Sequence, residues 1–79
     1  MERKIITFDE YFELVKDFFS QYNLTEKERD VYLQSNEVQQ EIKEKYEDGI
    51  QRYKKGMISY DVLTTGTVES VCYNLWLEY

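Results

Sequence analysis

The sequence predicts an all-α protein: a compact bundle of four to five short helices with short connections, forming a single domain over residues 1–79. Three observations predict it. Apolar side chains recur at three- and four-residue steps through most of the chain, which is the period of a helix buried along one face. Two Thr/Glu pairs stand three residues apart, the spacing at which a hydroxyl and a carboxylate reciprocally satisfy the free N–H groups of a helix start. Proline is absent and glycine occurs only at 49, 56 and 66, so little in the chain forces a helix to break. A domain of this size buries only about 60–65% of the surface its unfolded chain exposes, which puts weight on an efficient core.

The first helix follows from Thr7 and Glu10, with Phe8, Tyr11, Phe12, Val15, Phe18, Phe19 and Tyr22 drawing an apolar stripe of about four turns and Asn23 available to end it. Thr25 and Glu28 repeat the start signal for a second helix carrying Val31, Tyr32 and Leu33. Ser35 and Asn36 compete with helical hydrogen bonding and favour a break there. From Glu37 the set Val38, Ile42, Tyr46, Ile50, Tyr53 and Met57 keeps helical spacing for five turns. Gly49 lies inside that pattern at a cost of about 1 kcal/mol relative to alanine, which predicts a close crossing by another helix. Gly56 after Lys54 and Lys55 is the expected left-handed stop, with cations suited to the carbonyl end. The stretch MISYDVLTTG predicts a helix of one or two turns, capped by Ser59 and ended by Gly66. The last stretch, TVESVCYNLWLEY, predicts a helix apolar over most of its circumference, hence one surrounded by other helices or inserted into a second subunit. Alternation of Tyr73, Leu75, Leu77 and Tyr79 is the competing strand pattern, but only a brief KIIT near the start offers a second strand.

Composition narrows the functional classes. Hydrophobic residues make up 42% and charged residues 33%, the balance of a folded soluble domain. Uncharged runs at 57–60, 62–68 and 70–77 are each shorter than the roughly 20 residues that span a bilayer, so no membrane association is expected. MERKIITF lacks the long apolar stretch of a secretory signal, which places the protein in a cytoplasm. The single cysteine, Cys72, is expected to be a small buried hydrophobe. A net charge of −6 opposes direct nucleic-acid binding, which needs a basic footprint, and Arg52, Lys54 and Lys55 are explained as helix-end cations.

Nothing in the sequence assigns catalysis, and no enzyme activity or cofactor is expected. Histidine is missing, and with it the usual base near neutral pH and the commonest metal ligand. Neither GxxxxGK[ST] nor GxGxxG is present to cradle phosphate, and the acids lack the D-x-D-x-D spacing of a calcium loop. Glu44, Glu47 and Asp48 are expected on a solvated helical face.

What departs from average is a pattern of acids and aromatics. Glu37, Glu41, Glu44 and Asp48 fall at i, i+4, i+7 and i+11, forming a stripe opposite the apolar face with neighbours about 6 Å apart. That spacing approaches the phosphates of a nucleic-acid strand, whereas Glu41 with Lys45 and Asp48 with Arg52 are also ordinary i, i+4 pairs. Aromatic residues reach 16%, with eight tyrosines, and a small core cannot hide so many hydroxyls without partners. Tyr53, Tyr60, Tyr73, Trp76 and Tyr79 are therefore the expected contact surface, with Leu75 and Trp76 as alternative core fillers. In profile the chain resembles small bacterial and phage accessory proteins, a likeness of composition that assigns no residue a role. The sequence thus points to an interaction module binding a partner protein, a basic nucleic-acid-handling one among the candidates, or to a homodimer joined by its terminal helices.

Overall fold

The computed structural model describes residues 5–79. The part of MERKIITF at 1–4, and with it the start of KIIT, lies outside the described residues; among the described residues no strand forms. Four α-helices follow one another: α1 (Phe8–Phe19), α2 (Glu26–Leu33), α3 (Asn36–Lys54) and α4 (Thr67–Glu78), the last preceded by a π-helical turn, Val62–Gly66.

Both predicted capping boxes are formed. The Thr7 hydroxyl accepts from the Glu10 N–H at 3.2 Å while Glu10 Oε1 accepts from the Thr7 N–H at 3.1 Å. Thr25 and Glu28 repeat the exchange at 3.1 Å in both directions. Helix α1 ends at Phe19, short of Tyr22 and Asn23, because Ser20 folds its hydroxyl back onto the Asp17 carbonyl and the chain turns through Tyr22. Tyr22 still packs against the core from this turn, which is why it continued the apolar pattern without being helical. The break at Ser35 occurs as expected, and α3 starts at Asn36 with the Ser35 carbonyl accepting from Gln39 N–H at 2.9 Å.

Helix α3 stops where Gly56 takes a φ of 76°. Met57 N–H reaches the Arg52 carbonyl at 2.9 Å and Gly56 N–H the Tyr53 carbonyl at 3.0 Å, the paired bonds of a Schellman ending. Met57, the last of the apolar series, is left outside the helix and exposed. Ser59 caps the next helix, its hydroxyl accepting from Val62 N–H at 3.1 Å.

Gly66 does not terminate that helix. Its φ of −62° is right-handed, and the chain runs from Tyr60 through the π turn straight into α4. Thr67 N–H bonds to the Val62 carbonyl, the i→i+5 pattern of a π turn. The extra residue has a packing cause. Buried Leu63 and Val68 are five positions apart, which in an unbroken α-helix of about 100° per residue would set them about 140° apart. A π turn stacks them on the same side, toward α1 and α3. Threonine hydroxyls bond back to carbonyls along this stretch: Thr64 to Tyr60 and Thr65 to Asp61, at 3.1 and 2.6 Å.

The core is built from Tyr11, Val15 and Phe19 of α1, Leu33 of α2, Val38, Ile42 and Tyr53 of α3, Leu63, and Val68, Val71, Cys72 and Leu75 of α4, with Ile6 beneath them. Gly49 of α3 is the close crossing that its position predicts: a Cβ there would lie 2.9 Å from Leu63 Cδ1 and 3.7 Å from Thr67 Cγ2. Three tyrosine hydroxyls are satisfied inside this packing. Tyr11 meets the Thr67 hydroxyl, Tyr32 donates to the Leu75 carbonyl at 2.8 Å, and Tyr46 donates to the Ile6 carbonyl at 2.8 Å.

Candidate interaction surface

Helix α4 has a buried face and an open one, so it is not enclosed on all sides as its composition predicts. Val68, Val71, Cys72 and Leu75 point inward. With Leu75 directed at the core, a step of about 100° per residue places Gly66, Ser70, Tyr73 and Leu77 within about 40° of the opposite direction. Tyr73 and Leu77 are 56% and 66% exposed, and Val62, at the start of the π turn, continues the stripe at 43%. An outward helix face normally carries the charges; this one carries none. The periodicity of α4 did reveal its apolar excess, but not that the excess lies outside.

Beside this stripe Trp76 is half-buried at the centre of an aromatic stack. Its ring lies 4.8 Å from that of Tyr22 with 10° between planes and 6.0 Å from Tyr79 with 7° between planes, while Tyr32 meets Tyr79 edge-on at 4.9 Å. Trp76 thus joins core to surface. Tyr79 is 54% exposed and lines, with Val31 and Tyr32, an apolar cleft of about 330 Å³ rimmed by Lys27 and Glu28. Val31, 65% exposed on α2, is a surface residue that sequence reasoning placed only within its helix. Hydrogen bonds from the Thr25 backbone and hydroxyl, with a smaller one from Tyr79, hold the Glu28 carboxyl below its usual range.

The remaining expected contact residues separate from this patch. Tyr53 is only 8% exposed and belongs to the core; Tyr60 is half-buried and meets it edge-on at 5.9 Å. Neither joins Tyr73, Trp76 and Tyr79, since both sit at the far end of α3 and before the π turn.

The acids of α3 are only roughly opposite its buried face, as Glu44 lies about 160° from Ile42 while the series as a whole is turned toward α4. They run along its flank beside α4, where Glu41, Glu44, Lys45 and Asp48 share a shallow groove of about 250 Å³ with Val71 and Asn74. Ile42 and Gly49 set the buried direction, and Glu41, half-buried, falls about 100° from Ile42 rather than about 180°. Glu37, Glu44 and Asp48 are exposed, as is Glu47. Asp48 pairs with Arg52 at 2.9 Å. Glu41 approaches Glu78 of α4: desolvation first, then a hydrogen bond with the Glu78 carboxyl and its charge, push the Glu41 carboxyl up. Burial, then the charges of Glu78 and Glu41, push the nearby Tyr32 phenol up. The far side of α4 carries acids too. Glu69 lines two grooves between α1 and α4, one of about 370 Å³ with Phe18, Tyr22, Gly66, Ser70 and Tyr73, the other of about 310 Å³ that includes Asp17.

Among the described residues no group of three or more His, Cys, Asp or Glu is placed to hold a metal, and no helix is long and apolar enough to cross a membrane. The fold and surface define a small four-helix bundle whose last helix turns an uncharged, partly aromatic face to solvent between acidic flanks. Comparison with protein-family models, with curated proteins and with solved structures found no match to this chain.

Proposed function

We propose that this protein is a cytoplasmic interaction module, a small regulator or inhibitor that acts by occupying a surface of a partner protein with the outward face of α4. The observation that carries the reading is that uncharged face: Val62, Gly66, Ser70, Tyr73 and Leu77 line the side of the helix turned away from its own core. Tyrosine and leucine there contribute nothing to the bundle's interior, and exposed apolar area of this kind is what association removes from water. The −6 net charge steers a basic partner and opposes a second acidic copy. Asp48 is paired with Arg52, so the acidic series offers fewer independent charges than a phosphate strand would. That favours steering over mimicry of nucleic acid.

A photo-crosslinking amino acid at exposed Ser70 tests this in the source cells. A discrete adduct that disappears when Tyr73→Glu and Leu77→Glu are introduced is the expected result. No adduct, or one indifferent to both substitutions, rejects the reading, and an adduct of two copies of this chain moves it to the homodimer.

A further inference from the structure

Resting on that reading, we infer the chemistry of the partner: the outward face of α4 docks an amphipathic helix that is apolar along one stripe and basic along both flanks. Relief and charge converge on it. Along the stripe, Tyr73 and Leu77 stand up, whereas Gly66 and Ser70 leave a low point where a second helix backbone approaches closely, as small residues permit at helix crossings. Beside that low point the groove of about 370 Å³ is lined by Phe18, Tyr22, Tyr73, Gly66 and Ser70 with Glu69 among them, a seat for one long side chain that is apolar along its body and cationic at its tip. A surface that combines a row of apolar positions with a pocket between two helices is the geometry of helix-in-groove recognition.

Charge selects among such helices. From Met57 onward the chain carries three acids, Asp61, Glu69 and Glu78, and no lysine or arginine. The α1 side of the stripe adds Asp17 near Glu69. The α3 side presents Glu41, Glu44 and Asp48, with Lys45 as the base in the same groove and Arg52 engaged by Asp48. The carbonyl end of α4 adds partial negative charge beside Tyr79. Both margins of an uncharged stripe are thus acidic. A helix with acidic margins is repelled along its whole length, one with neutral margins leaves these carboxylates without counterparts, and one with Lys or Arg on both margins complements them.

Three synthetic peptides of about five turns serve as probes: leucine at helical spacing with lysine flanks, the same with glutamate flanks, and the lysine peptide scrambled. Calorimetry against the full chain is expected to show the lysine-flanked peptide binding at least about tenfold more tightly than the scrambled one. The preference should weaken as salt rises from about 50 to about 300 mM. Tyr73→Ala, a surface change that preserves the fold, and Gly66→Leu, which fills the low point, should each abolish it. Equal binding of the scrambled peptide, equal binding of the glutamate-flanked peptide, or indifference to both substitutions overturns the inference. Mapping the Ser70 adduct separates the two conclusions. A crosslinked partner segment without flanking cations rejects the basic helix and leaves occupancy standing, whereas absence of any Tyr73- and Leu77-dependent adduct ends both.

Discussion

The hydroxyls of Tyr11 and Thr67 meet at 3.0 Å, and Thr67 in turn donates to the Leu63 carbonyl inside the π turn. Because the single Thr67 proton is used there, Tyr11 is the donor to Thr67, and burial of its ring, outweighing that bond, pushes the phenol up. The relay satisfies a carbonyl that an irregular turn takes out of the α-helical ladder. Thr67→Val removes both bonds at once and should cost about 2–3 kcal/mol; Tyr11→Phe, which leaves Thr67 still donating, should cost about 1 kcal/mol. Urea unfolding of the two variants measures the difference. Equal costs would mean the Leu63 bond contributes nothing.

Gly49 is the second constraint on the same turn. A methyl group there gains about 1 kcal/mol of helix propensity, but it would meet Leu63 Cδ1 at 2.9 Å, in a side chain with no exposed surface to swing into. Overpacking of this kind costs about 1–3 kcal/mol, so Gly49→Ala should be net destabilising by about 1 kcal/mol and lower the melting temperature by about 4–8 °C. In a Leu63→Val background, with the clash relieved, the same change should turn stabilising by up to about 1 kcal/mol. Additive effects would show that the two sites do not couple.

Glu41, facing Glu78 from α3, makes the stability of the fold pH-dependent. The folded state raises the Glu41 carboxyl above its ordinary 4.5, so its contribution to stability is complete below that value and is lost as pH rises through the folded one. Glu44 adds to the repulsion, Lys45 lies in the same groove, and Tyr32 sits close by. Glu41→Gln should therefore stabilise the protein near neutral pH by about 0.5 kcal/mol, the scale of a partly exposed charge pair. The advantage should vanish at about pH 4 and below. Melting curves across pH test it, and a gain that persists in acid points to packing instead.

Cys72 is fully buried, its Sγ 3.4 Å from the Val15 carbonyl, and burial pushes the thiol up to about 12. A thiol reagent at pH 8 should modify the native protein only through opening of the bundle, at a rate that tracks unfolding as urea is added. The raised value also means that stability from this group is intact below the ordinary 9.0 and declines between there and about 12. Fast, urea-independent labelling would place the thiol at the surface.

The helices were legible because their starts are written locally: Thr7 with Glu10, Thr25 with Glu28, and Gly56 after two lysines are side-chain signals that act within one turn. Gly49 was legible because a glycine on the apolar side of a long helix costs propensity that only packing offsets. Gly66 misled for the complementary reason. Its local preference for a stop was overridden by Leu63 and Val68, whose burial needs the helix to continue with one residue extra. The contact surface was half legible: Tyr73, Trp76 and Tyr79 gather at one end, but burial of Tyr53 is decided by partners distant in sequence. The acidic series was visible as a period, and only its angle to α4 was hidden.

The π turn also makes the last helix a splice of two rods kept in one phase by a single extra residue. Losing one residue between Leu63 and Val68 would leave them four positions apart, about 40° in an ordinary ladder, so both would keep the side of the helix they now share. This short stretch is therefore where the chain can change length while the segments on either side of it keep their facing.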